Sequence, residues 1–301
     1  MSIPEVDPSL TYVALWVDTV LGAVSHLLAA SVAVHGSVGV SERRALEARR
    51  DELAWRCAVA IAARRLASNP PLFFAWFASL CWAGEPSDSL SSGQLTAMRG
   101  RILVNLGLPG SPSSDSHVCG LVAECLWYEL TANEPVDGEM PVLVEAHQWS
   151  VTDPGGDGLA VYRRPDSTLY FHLWESKAHY GDGALTPTVQ GAAHQLRRRG
   201  LDYLGRFSVV AQRVTDDEAL AAFLCTLSEK WADASPDAGV GISVTSSSPG
   251  DGEECFSTLP NYFSLAGDRH HGLLHVVGEL IDFASLVRRY LWQGAGLWNA
   301  H

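Results

Sequence analysis

Asp157-Gly158-Leu159-Ala160-Val161-Tyr162 and Leu169-Tyr170-Phe171-His172-Leu173-Trp174-Glu175-Ser176-Lys177 decide how this chain folds. Both runs are rich in branched and aromatic residues, as strands are, and Arg163-Arg164-Pro165-Asp166-Ser167-Thr168 between them is turn chemistry. Side chains two apart on a strand share a face, so Leu169, Phe171, Leu173, Glu175 and Lys177 all point the same way. Three apolar residues therefore run into a carboxylate and an ammonium at the end of the second strand. Asp157, beside Gly155-Gly156 at the start of the first strand, can bring a second carboxylate to the same point. Two carboxylates and a lysine suit a hard divalent cation with a helper base or charge stabiliser, which is the equipment for phosphodiester hydrolysis. The bland alternative is a surface hairpin whose edge carries a Glu175–Lys177 ion pair.

On either side of the hairpin the pattern is mixed. His117 to Leu130 reads as a helix capped from Ser114, Asp115 or Ser116. Val118, Leu121, Val122, Cys125 and Leu126 form its apolar stripe, and Glu124 lies at the stripe's edge. Pro141 to Ala146 is a strand. After Lys177, Thr186-Pro187 opens a helix that runs through Arg199, with proline in the first turn. Phe207 to Gln212 is expected to be a strand and Asp216 to Trp231 an amphipathic helix. Val240 to Thr245 is a strand, and the last helix runs from Ile281 to about Trp292. Such alternation predicts an α/β or α+β domain built on a central sheet.

Upstream, the pattern is helical. Residues 10–34 read as a buried helix or helix pair, because Asp18 and His26 interrupt an otherwise membrane-like run that no basic cluster flanks. Ser41-Glu42-Arg43-Arg44 reads as the cap of a helix extending to about Ala67, which Asn69-Pro70-Pro71 stops. Leu72 to Trp82 is an aromatic run, and a short helix follows from Ser92 to Leu106. Gly107-Leu108-Pro109-Gly110-Ser111-Pro112-Ser113-Ser114-Asp115-Ser116 is the best linker by composition. It divides the chain into an N-terminal helical region, 1–108, and a second domain, 109–301.

A helix with Glu124, a strand with Asp157, a strand ending Glu175-Ser176-Lys177 and a following helix together resemble the PD-(D/E)xK nuclease superfamily over residues 114–212. The match rests on few residues, and the family's proline is displaced here to Pro154. The resemblance implies a restriction-endonuclease-like central mixed sheet flanked by helices and a Mg²⁺- or Mn²⁺-dependent endonuclease acting on DNA. It assigns Asp157, Glu175, Glu124 and the carbonyl of Ser176 to the metal, with Glu129 or Glu145 as substitutes for Glu124. Lys177 becomes the group that positions or deprotonates water or stabilises phosphoryl charge. Family members carry a glutamine on the next helix, a part open to Gln190 or Gln195. Gln190, His194, Arg197 and Arg198 fall on one side of that helix and would contact phosphates. Bacterial nucleases of this size resemble effectors of phage defence, as in Hachiman-type systems, where a helicase partner supplies substrate access. The N-terminal region would then meet that partner. A nuclease fold without activity, serving as a protein-binding or regulatory subunit, is the competing expectation.

The net charge of −13 argues against a protein that coats nucleic acid, though a local basic groove is compatible with it. Six cysteines without a CxxC pair suit buried reduced thiols in a cytoplasmic protein better than disulfides or a zinc site. The acidic, proline-broken start is unlike a signal peptide. Asp268, His270, His271 and His275 read as a polar loop entering a strand more readily than as a transition-metal site. No phosphate-cradling glycine loop is visible, so nothing points to an ATPase.

Overall fold

The computed structural model describes residues 27–35, 37–82, 89–146, 158–214, 217–265 and 269–298. Asp157, Asp268 and residues 10–26 lie outside the described residues. One mixed seven-stranded sheet organises the fold. Its strands are β1 (Leu28–His35), β2 (Val38–Ala45), β5 (Pro141–Ala146), β6 (Gly158–Arg163), β7 (Leu169–His179), β8 (Ala238–Ser246) and β9 (His270–Val276). Their spatial order is β1-β2-β9-β8-β7-β6-β5. β2, β9, β8 and β7 run parallel to one another, and antiparallel strands, β1 beside β2 and β6 and β5 beyond β7, close both edges. Gly107–Leu108 (β3) and Ser111–Pro112 (β4) make a separate two-stranded ribbon.

The helices are α1 (Arg50–Leu66), α2 (Pro70–Trp82), α3 (Ser92–Ile102), α4 (Asp115–Asn133), α5 (Thr186–Val214), α6 (Glu218–Leu224), α7 (Leu227–Ala232) and α8 (Leu280–Gly294). Strand alternation assigns them to faces. Leu159, Val161, Phe171, Leu173, Val240, Ile242 and Val244 pack against Val189, Leu196 and Leu204 of α5. On the opposite face, Trp127 of α4 packs with Tyr162, Tyr170 and Trp174. α1, α2, α3, α4 and α8 share a further cluster built on Leu53, Ile61, Phe73, Trp76, Leu126 and Phe283. Residues before and after 108 thus share both the sheet, through β2 and β9, and a core.

Three sequence expectations change. Residues 28–45 form a hairpin of strands where helix was expected. Val38, Val40 and Glu42 are buried while Gly39 and Ser41 between them are half-buried, and pairing with β9, over 220 residues away, outweighs the local helical composition. Arg43, expected near a helix cap, is instead a buried strand residue that forks onto Glu134 beyond α4. Phe207 to Gln212 is not a strand: the spacing Val189-Ala193-Leu196-Leu204-Phe207 carries α5 on to Val214. The expected helix from Asp216 to Trp231 is two short ones, α6 capped by Asp217, whose carboxylate accepts from Leu220 N at 3.0 Å.

The Gly107–Ser116 stretch is tied down. Gly107 stands at φ 68°, where a Cβ would lie 2.4 Å from Ser113 N. Its carbonyl accepts from Trp292 Nε1 at 2.8 Å. Among the described residues, no helix is long and apolar enough to cross a membrane.

Two buried histidines make the fold acid-sensitive. His172 is fully buried, and neither ring nitrogen has a hydrogen-bond partner among the described residues. Burial, then the neighbouring charges of His271 and Arg269, hold its pKa well below the ordinary value. His275, whose Nδ1 meets Thr245 Oγ1 at 3.2 Å, is lowered to about 3 by burial and by Arg43. Both are neutral when folded and protonate more readily when unfolded. Their contribution is therefore complete above pH 6.5 and falls as pH drops toward the folded values. Each histidine is expected to remove about 1.4 kcal/mol of stability per pH unit below 6.5. Urea titrations at pH 7 and pH 5 measure this, and His172→Phe, which removes one titrating group from an apolar setting, should flatten the loss by about half.

Candidate active site at the end of strand β7

The site grows out of the overhang of β7. Pairing with β6 reaches Gly158 opposite Trp174. From Glu175 to His179 the strand pairs, among the described residues, with β8 alone. Ligands gather beyond the carboxyl ends of parallel strands, and here β7 ends beside parallel β8. Glu175, Lys177 and His179 alternate onto the face that carries Phe171 and Leu173, toward α5, as expected from the sequence.

Glu175 is completely buried, whereas the Lys177 side chain is about one-third exposed. Lys177 Nζ donates to Glu175 Oε1 at 2.5 Å and to Gln195 Oε1 at 3.2 Å. A carboxylate out of water needs a charged partner in good geometry, and the ammonium supplies it while staying in reach of solvent. Of 21 basic residues only Lys177 and Lys230 are lysines, and Lys230 is bonded to Asp237. In a chain that otherwise uses arginine, Glu175 is matched with a compact, proton-exchanging cation.

The sheet's twin faces separate the other candidates. Ser176 points away from Glu175 and is buried on the α4 side. Glu124 arrives on α4, one turn before Trp127, whose ring lies 6.2 Å from that of Trp174 on that same side. Burial lowers Arg65 of α1 to about 10, against the opposing pull of the Glu124 carboxylate. Of its substitutes, Glu129 pairs with Arg64 at 3.6 Å. Glu145 sits on β5 opposite Leu159, where burial pushes its carboxyl up.

On α5, Gln195 reaches Lys177 and Gln190 does not figure in that contact. His194, Arg197 and Arg198 are exposed, with the His194 ring edge-on to Tyr262 at 4.8 Å. They form a basic outer stripe next to the site.

The α5 N-terminus is not free to hold an anion. Asp251 Oδ1 accepts from Leu185 N at 2.5 Å, and its Oδ2 accepts from Thr186 N at 3.2 Å and from the Thr186 hydroxyl. These bonds hold the Asp251 carboxyl below its usual range against the opposing effect of burial.

The histidines of β9 alternate between faces. His270 Nε2 meets Phe263 O at 3.3 Å, whereas His271 Nε2 lies 3.3 Å from Asp137 Oδ1. Among the described residues, no three His, Cys, Asp or Glu side chains gather closely enough to hold a metal. For Mg²⁺ or Mn²⁺ the donor chemistry of Glu175 fits, being a fully buried carboxylate. Asp157, expected from the sequence as the second carboxylate, precedes Gly158 in the chain and lies outside the described residues. Neither a scan against family models nor a search of curated proteins finds a match for this chain.

Proposed function

We propose that this protein is a metal-dependent nuclease of PD-(D/E)xK type, with its centre at the end of β7. The observation that carries the reading is the buried Glu175 carboxylate held by Lys177 on the overhanging end of β7. Element order supports it. The run α4-β5-β6-β7-α5, followed after α6 and α7 by β8, has two antiparallel pairings and then a parallel one, which resembles the element order of a restriction-endonuclease-like core.

In this reading Asp157, Glu175 and the Ser176 carbonyl would hold Mg²⁺ or Mn²⁺, and Glu124, on the α4 side of the sheet beside Arg65, is left out of the ligand set. The cation, when bound, polarises a phosphodiester oxygen and acidifies water. Lys177 supplies a proton-bearing cation beside the phosphoryl oxygens, and Gln195 holds it there. His194, Arg197 and Arg198 attract and align the DNA backbone. A role as an effector in phage defence, with a helicase partner engaging the N-terminal elements, extends the same reading by analogy.

A second reading has its own observation: Glu175 is wholly enclosed and already neutralised by Lys177, as in a nuclease fold kept for binding a protein. The two separate in one assay. Plasmid and linear DNA are incubated with the protein and Mn²⁺ or Mg²⁺, alone and with products of neighbouring genes, beside Lys177→Ala. Cleavage by the wild type that EDTA stops and Lys177→Ala lacks supports the nuclease. Identical behaviour of both proteins in every mixture leaves the binding role.

A further inference from the structure

Gln195, which holds Lys177, is itself bonded to a further residue. Gln195 accepts from Lys177 through Oε1, and its Nε2 donates to the Tyr203 hydroxyl at 3.2 Å. Tyr203 is about 2% exposed and comes two turns further along α5. An amide can present either its oxygen or its NH₂, and only the oxygen is attractive to an ammonium. The ammonium, a donor only, selects the orientation that turns the carbonyl to Lys177, and the Tyr203 hydroxyl takes up the NH₂ end and anchors the amide there. Because Tyr203 is buried against the sheet with Leu196 and Leu204, its hydroxyl is a fixed reference point.

We propose that Tyr203 is a positioning residue for Lys177, acting through Gln195. The inference rests on the Glu175–Lys177 pair being the reactive centre and adds what keeps the lysine in place. A cation that engages the Glu175 oxygen withdraws the acceptor nearest to Lys177. The Gln195 carbonyl still accepts from the ammonium, and Tyr203 keeps that bond aimed. The lysine stays at the phosphoryl oxygens and does not swing out to solvent, which its partial exposure would otherwise allow.

The chain's two lysines make the test direct. Protein labelled with ¹⁵N only in lysine gives one ammonium signal from Lys177 and one from Lys230, the latter serving as internal control. Tyr203→Phe keeps the ring and removes the hydroxyl. It is expected to speed ammonium-proton exchange at Lys177 about tenfold and to leave Lys230 unchanged. In DNA cleavage it should lower kcat by about tenfold with KM unchanged. Gln195→Glu added to Tyr203→Phe offers Lys177 a carboxylate that needs no orienting, and should restore the exchange protection. Loss of packing alone would not be rescued this way. Exchange at Lys177 in Tyr203→Phe equal to that of wild type overturns the proposal. The lysine spectrum decides this even if Lys177→Ala cleaves as wild type does, an outcome that removes the nuclease reading instead.

Discussion

Glu175→Gln is expected to lower metal-dependent cleavage of DNA by about a thousandfold, equivalent to roughly 4 kcal/mol of transition-state stabilisation. The substitution keeps the shape of the side chain and removes its charge. A hard cation binds a neutral amide oxygen far less well than a carboxylate, so the site loses affinity and geometry together. Stability should change little. Removing one member of a buried pair is costly when the other is left as an enclosed charge. Here the survivor is Lys177, whose side chain is already about one-third exposed and keeps Gln195. Thermal unfolding within a few degrees of wild type, together with lost cleavage, is the expected pair of results. A stable Glu175→Gln protein that cleaves at the wild-type rate removes Glu175 from the chemistry.

The largest effect on stability is expected from Gly241→Ala, in the central strand β8. A Cβ at Gly241 would lie 2.1 Å from Trp174 Cδ2. The indole lies flat across the glycine, so the clash is with a ring and not with a flexible chain end. Trp174 cannot simply shift, because Trp127 packs beside it and itself covers Gly158, where a Cβ would stand 1.7 Å from its ring. Overpacking of this kind costs about 1–3 kcal/mol and more when the neighbours are locked, so about 3 kcal/mol is expected. Gly205→Ala on α5, with nothing within 4 Å of the new Cβ, is the contrast and should gain roughly 0.5–1 kcal/mol. Urea midpoints of the two variants measured side by side check both signs. Equal stability of Gly241→Ala and wild type would mean that Trp174 does not lie across β8.

What could be read from the sequence follows the range of the forces involved. The β6–β7 hairpin, the facing of Glu175 with Lys177, the proline start of α5 and the β8 strand all rest on two-residue or 3.6-residue periodicity and on local turn chemistry. Each is found where expected. Residues 28–45 could not be read this way. Their strand state is set by a parallel pairing of β2 with β9, and the local run Ser41-Glu42-Arg43-Arg44 carries only the helix-like composition. The end of α5 was misjudged because Phe207 to Gln212 suggests a strand locally, while the helix that opens at Thr186 continues to Val214.

The candidate site was partly legible. Parity alone placed Glu175 and Lys177 together, but the choice of Gln195 over Gln190 needed the knowledge of which α5 face meets the sheet. Tyr203 left no motif at all. Its part depends on a hydroxyl meeting an amide two helical turns away, a relation that only the folded packing creates.

Mn²⁺ binding, followed by the loss of the free-ion EPR signal, addresses the centre most directly. The wild type should take up Mn²⁺ at a site that both Asp157→Asn and Glu175→Gln abolish, since each removes one of two carboxylates sharing a cation. Mn²⁺ uptake that is the same in all three proteins would contradict a metal centre at the end of β7.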